Sequence, residues 1–341
     1  MIRWLFFIGG LVLLALVVHR AGPSRIAADV ASQGWILIPF VLLSGVESAL
    51  HALSCLLCLA PAHRAVIGWG RMFLFYILAY AINLVTPTGD VGGDVARGVA
   101  MQRYVPVAEA ASSILVNKVT FTITRILLAA GLTAASVVSL PTDPRVVWGV
   151  GAGSAIILTA LVVFGIFQAR GVLGPALVRI ARLAGRQKQE WMRAHATELD
   201  AALGTFYARH RRDLAISIGF DLLGFFVGVL QRCLLLAALV GPHALPLPHL
   251  LLAGAGIWGI ANLVDMVFFF VLGRLGIREG GYQAAFEAVG LPGVKGLAMS
   301  VVDRLDQAVW TILGLGVYWV SVLRAAPSPA PLVAVPEKGP R

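Results

Sequence analysis

Apolar runs follow one another along almost the whole chain, and no soluble fold can bury that much of itself. Eight stretches stand out, over residues 4–18, 35–60, 72–87, 108–140, 146–168, 214–240, 247–273 and 294–323. A helix rises about 1.5 Å per residue, so roughly 20 apolar residues cross the roughly 30 Å of bilayer hydrocarbon. An open strand in lipid would leave its N–H and C=O groups unpaired, so helix is the conformation these stretches must take. Only 13% of the residues are charged, against about 25% in a chain that faces water. The expected fold is all-α: a polytopic integral membrane protein of about eight hydrophobic helices, with residues 1–324 as one membrane domain. Segment 4–18 follows Met1-Ile2-Arg3 as a secretory leader would. Val17-Val18-His19-Arg20 offers no small-residue cleavage site, however, so this segment reads as an anchor that stays.

Residues 170–213 form the one long polar stretch, with nine Lys or Arg against four Asp or Glu. Leu177, Ile180, Leu183 and Ala184 recur there at helical spacing, which fits a basic amphipathic linker on the headgroup layer as well as a plain solvated connector. The positive-inside rule puts this linker in the cytoplasm. If all eight stretches cross, both termini lie outside. In the other arrangement, 71–104 dips in and returns on the cytoplasmic side, and 250–291 forms a matching hairpin from outside. That leaves six full spans and both termini inside. The second is preferred, because 72–87 is short and ends in Thr86-Pro87-Thr88-Gly89, which breaks a helix. The tail 325–341 holds five prolines and reads as disordered. The net charge of +10 points to anionic headgroups and a fixed orientation. No aromatic-interleaved basic groove accompanies it, so nucleic acid is not an expected partner. Cys55, Cys58 and Cys233 sit in apolar surroundings and read as packing residues.

An internal echo carries more information than any single segment. The first copy runs Gly89-Asp90-Val91-Gly92-Gly93-Asp94-Val95-Ala96-Arg97, and the second Gly276-Ile277-Arg278-Glu279-Gly280-Gly281-Tyr282. Each sets a Gly-Gly among acidic and basic residues, directly after an apolar segment. Each is then followed by an apolar helix bearing a cation: Lys118 lies 26 positions after Gly92, and Arg304 lies 24 after Gly280. Upstream, Asn83-Leu84-Val85 parallels Asn262-Leu263-Val264. Interrupted apolar segments at matching places in two halves point to a transport site. The halves run roughly over 35–168 and 214–324, and three spans between the two copies would invert one relative to the other.

Charges inside the apolar helices point the same way, since one at the bilayer centre costs at least about 2.5–3.5 kcal/mol. Lys118 and Arg125 share a face seven positions apart, and Asp303 and Arg304 sit with Asp306 in the last segment. Two readings stay open. These cations line a substrate path, or they tie the structure together, with Lys118 or Arg125 pairing Asp90 or Asp94 and Arg304 pairing Glu279. Glu47 and His51, at i and i+4, suit a local hydrogen bond; Asp221, Arg232 and Asp265 are isolated signals.

At the two motifs the sequence resembles the flippase-like membrane family that includes the transmembrane region of lysylphosphatidylglycerol synthases and stand-alone relatives. Asn83, Pro87, Gly92, Gly93, Asp94 and Arg97 match its first motif, and Gly273, Gly276, Ile277 and Glu279 its second. Arg304 matches the arginine of the following helix. Leu272 departs from a frequent proline and Arg274 from a frequent second glycine. The run Gly-Arg-Leu-Gly-x-x-Glu-Gly-Gly-Tyr is similar to the subset associated with hopanoid synthesis.

The resemblance implies movement of polar lipids between leaflets of a bacterial inner membrane. It implies no aminoacylation, because this sequence lacks the synthase domain. The expected site comprises Asn83, Asp90, Gly92, Gly93, Asp94, Arg97, Lys118, Arg125, Arg278, Glu279, Gly280, Gly281, Asp303 and Arg304. No catalytic residue, metal or cofactor is expected. The expected partners are membrane lipids, either anionic phospholipid or an isoprenoid or hopanoid lipid, with a lipid-synthesis enzyme as a further candidate. Two other classes stay in view: a membrane-embedded transferase on a lipid-linked substrate, and a non-catalytic partner of a lipid-synthesis complex.

Overall fold

The computed structural model describes residues 34–86, 91–140, 199–241, 244–268 and 276–318, with scattered positions between 148 and 170 and at Val271 and Arg274. Segment 4–18, the linker up to 198, Pro87 to Asp90, Gly273 and the tail lie outside the described residues. Among those described, the chain is helical throughout and has no strand. After a 3₁₀ turn at Gly34–Ile36 come α1 (Leu37–Leu57), α2 (Pro61–Val85), α3 (Val91–Met101) and α4 (Val107–Ser139). The second set is α5 (Arg211–Val240), α6 (Leu247–Val267), α7 (Ile277–Ala288) and α8 (Gly293–Tyr318). Five of these are long and apolar enough to cross a membrane, counting Gly34–Leu57 as one. The last helix, α8, is not among them, because Lys295, Asp303, Arg304 and Asp306 interrupt it.

The segment expected over 72–87 begins eleven residues earlier, at Pro61. His63, Arg64 and Arg71 hide its first turns from a hydropathy reading. Pro61 stands at the first helical position, where its missing N–H costs nothing. At Gly68, φ is +69° and the helix kinks. This start is pinned: the Arg64 side chain donates to the carbonyls of Leu57 and Leu59 and pairs with Asp213 at 2.8 Å.

Both glycine motifs build helical hairpins that turn back. Met101 and Val105, at the end of α3, share a buried cluster with Leu59, Ile67 and Met72. So α3 runs back toward the end of the bundle where α2 starts. Its 11 residues span only about 16 Å, half of the hydrocarbon thickness. Tyr282 and Phe286 of α7, with Val289 just past its end, cluster with Ile36, Phe40, Leu239 and Ala253, so α7 returns toward the start of α6. Ile36 and Leu59 flank the two ends of α1, and the hairpins therefore enter the bundle from opposite ends. The order long helix, hairpin, long helix thus occurs twice, as α1 to α4 and as α5 to α8.

Gly92-Gly93 lie inside α3, which begins at Val91, and Gly280-Gly281 inside α7, which begins at Ile277. Glycine inside a helix costs about 1 kcal/mol relative to alanine, and close packing offsets that cost. A Cβ on Gly93 would sit on the Ala79 carbonyl oxygen and the Asn83 side chain, so only glycine lets α3 lie against α2. The Gly93 N–H donates to Asn83 Oδ1 at 2.6 Å. Gly93→Ala is therefore expected to destabilise the protein by about 1–3 kcal/mol, as overpacking does. A thermal unfolding curve in detergent reads this directly, and an unchanged midpoint would show that the hairpin opens freely. Small residues serve α6 in the same way: Gly256 and Gly259 lie against Ser136, Thr133 and Ala129 of α4, the close contact by which helices associate in lipid.

Of the linker, residues 199–209 are described and helical. Leu199, Leu203 and Phe206 pack against Cys58 and Val116. This apolar face therefore caps the same end of the bundle as the α1–α2 turn.

Candidate functional site

Charged side chains from both halves meet around a cavity of about 250 Å³ to which all eight helices contribute. Arg97, Lys118, Arg125, Arg232, Arg274 and Arg278 line it together with Glu47, Asp94, Asp265, Asp303 and Asp306. Six cations face five carboxylates. Aromatic residues complete the wall, with Phe121, Phe225 and Trp258 on one side and Tyr80 and Trp310 on the other.

The first motif holds its half of the cavity through Asp94. That carboxylate pairs with Lys118 of α4 at 3.0 Å and with Arg97 at 3.2 Å. Arg97 is buried, and its guanidinium also donates to Cys55 Sγ at 2.7 Å. The second motif repeats the pattern: Glu279 pairs with Arg304 of α8 at 3.0 Å. In each half the motif's acid thus meets the cation of the following long helix. The second pair, however, faces the turn. Glu279 accepts from the Gly276 N–H at 2.7 Å, and Arg304 donates to the Arg274 carbonyl at 3.1 Å. Together they clamp the loop between α6 and α7.

Arg274 explains its own departure from the family pattern. Its φ is +52°, the left-handed region that glycine adopts without cost. The backbone keeps glycine's shape, at about 1–2 kcal/mol for a side-chain-bearing residue. What the arginine contributes is a contact with Asp265 at 3.3 Å. Beyond it runs a ladder of alternating charge, with Asp265 to Arg278 at 3.9 Å, Arg278 to Asp303 at 2.7 Å and Asp303 to Arg232 at 2.8 Å. Arg274→Gly is expected to relieve the strain while loosening Asp265. Stability should then fall by about 1–2 kcal/mol, because the loss of a partner for Asp265, 5% exposed, exceeds the strain relieved. A denaturation midpoint at or above wild type would show that the strain outweighs the ion pair.

Of the expected site residues, Asn83, Asp94, Arg97, Lys118, Arg125, Arg278 and Asp303 line the cavity. Gly92, Gly93, Gly280 and Gly281 lie in the helices behind it, and Glu279 and Arg304 hold the turn. Asp90 lies outside the described residues. The echoed asparagines both reach the cavity: Asn83 through Gly93, and Asn262 by accepting from Arg125 Nε at 2.7 Å. Glu47, His51, Asp265, Arg274 and Asp306 join the lining beyond what the motifs indicated. Their common signal was an ionisable residue inside an apolar run, the kind that must face a partner or water.

Long apolar helices around a charged central cavity define a multi-pass membrane protein whose interior rather than its surface carries the polar chemistry. The chain belongs to the family described as the lysylphosphatidylglycerol synthase TM region, whose model matches residues 2–316. No curated protein and no solved structure matches it.

Proposed function

We propose that this protein moves a polar or anionic lipid between the leaflets of a bacterial inner membrane. The cavity carries this reading. A headgroup crossing hydrocarbon unaided loses its hydration without compensation. Arginines, a lysine and the surrounding carboxylates at the meeting of the two hairpins would replace that hydration, and charge-assisted bonds from Arg and Lys suit a phosphate. At about 250 Å³ the cavity suits a headgroup, with the acyl chains remaining in the bilayer. The two repeats, entering from opposite ends, supply the arrangement that alternating access uses.

The test is leaflet exchange in liposomes of purified protein with headgroup-labelled phosphatidylglycerol, read with an impermeant quencher. Wild type should exchange label faster than protein-free liposomes, and Asp94→Ala should lose most of the gain. Exchange no faster than in protein-free liposomes, repeated with an isoprenoid-linked or hopanoid lipid, would overturn the reading. A covalently altered lipid that depends on a divalent cation would favour a transferase instead. Restoration of activity only on adding a lipid-synthesis enzyme would favour the partner role.

A further inference from the structure

A histidine–aspartate pair stands at one wall of the cavity. Asp221 of α5 is completely buried. It accepts from Ser54 at 2.7 Å and faces His51 Nδ1 at 2.9 Å, and among the described residues no Arg or Lys forms an ion pair with it. A buried carboxylate without a counter-charge is costly, and a proton on the facing His51 imidazole would balance Asp221. The other ring nitrogen, Nε2, makes no hydrogen bond. It points toward Glu47 Oε1 at 3.8 Å. Glu47 is 23% exposed and lines the cavity. Close packing surrounds the imidazole: the Phe225 and Phe121 rings stand 4.7 and 4.9 Å away, and Gly224 leaves no room for a Cβ against the ring. Glu47 is thus the cavity-lining carboxylate that stands next to Nε2. Other ionisable groups near this pair are Cys55 on α1, Cys58 just past its end, Tyr76 on α2 and Arg97 on α3, with Arg232 and Asp306 beyond Glu47.

We propose that His51 and Asp221 form a proton-carrying site that exchanges with the cavity through Glu47, and that lipid movement is coupled to a proton gradient by it. This rests on the lipid-transport reading and adds its energy source. The proton leaves water at the Glu47 carboxylate, passes to His51 Nε2, and cancels the charge of Asp221 while it stays. A headgroup phosphate in the cavity lies within the field of the same Glu47, so occupancy by the lipid and by the proton are linked.

Proteoliposomes with labelled phosphatidylglycerol provide the test, with a pH step imposed and the electrical potential clamped by valinomycin and potassium. One proton per lipid across a step of about one pH unit is about 1.4 kcal/mol, so the label should shift about tenfold toward one leaflet. His51→Gln should leave the label evenly distributed with or without the step. Asp221→Asn combined with His51→Gln removes both buried charges together and gives the same readout if the single variant fails to fold. Exchange that ignores the gradient in wild type overturns the coupling and leaves the lipid reading standing. If wild type moves no lipid at all, the lipid reading and the coupling both fail. The proton site is then decided alone, by ¹⁵N-histidine spectra of the protein in liposomes between about pH 5 and 9. A titrating signal absent from His51→Gln upholds it; no such signal overturns it.

Discussion

Arg278→Met is expected to lower folding stability by about 3 kcal/mol, the largest effect of any single substitution in the charge ladder. The reason is where Arg278 stands. It bridges Asp303 at 2.7 Å and Asp265 at 3.9 Å, and those side chains are only 3% and 5% exposed. Remove the guanidinium, and two buried carboxylates keep Arg232 and Arg274 as ion-pair partners, with Gln307 donating to Asp303. Removing one partner of a buried pair costs more than the pair contributed, because the remaining charge stays desolvated. Asp303→Asn added to Arg278→Met should therefore recover part of the loss. Denaturant or thermal unfolding of the three variants in one detergent decides it. A single variant within about 1 kcal/mol of wild type would mean that water reaches the ladder and screens it.

Arg125→Gln should reduce leaflet exchange by about tenfold to a hundredfold while folding normally. Its guanidinium links α4 to α6 through Asn262, and it faces the cavity. If a phosphate passes, one charge-assisted hydrogen bond worth about 1.5–3 kcal/mol disappears from the path. Lys118→Gln is the internal comparison. Lys118 is 39% exposed, so solvent screens it and the loss should be smaller. Rates measured at matched protein density separate the two. Equal rates for wild type and Arg125→Gln would mean that the headgroup does not pass this arginine, and the path would have to be sought elsewhere.

Much of this architecture was legible before any coordinates. The apolar runs called for helices, and the break at Thr86-Pro87 marked where α2 had to stop. The echo of Asn, Gly-Gly, acid and a later cation marked both hairpins. The choice between cavity lining and structural tie divided by residue, not by motif. Lys118–Asp94 is a tie that also faces the cavity; Arg304–Glu279 is a tie that clamps a turn. Nothing in the letters separates them, since each motif offers an acid and each following helix a cation. The kinked start of α2 escaped notice because polar residues at a bundle end look the same as a loop to hydropathy. Nor did the letters show that one glycine of each pair, Gly93 against α2 and Gly281 against Val264 of α6, serves close helix packing.

Solvent chemistry dictated the class. A chain so apolar can satisfy its backbone only as helices in lipid, and any reading of its composition ends there. Its few interior charges had to converge, because no isolated charge survives in hydrocarbon. Which charge meets which is another matter. His51 and Asp221 lie 170 positions apart, and Ser44 and Asp306 lie 262 apart. Such pairs exist only because α1 packs along α5 and against α8. Long-range partners follow from how helices stack and how closely glycine lets them approach, and that geometry belongs to the assembled bundle, not to any one segment of it.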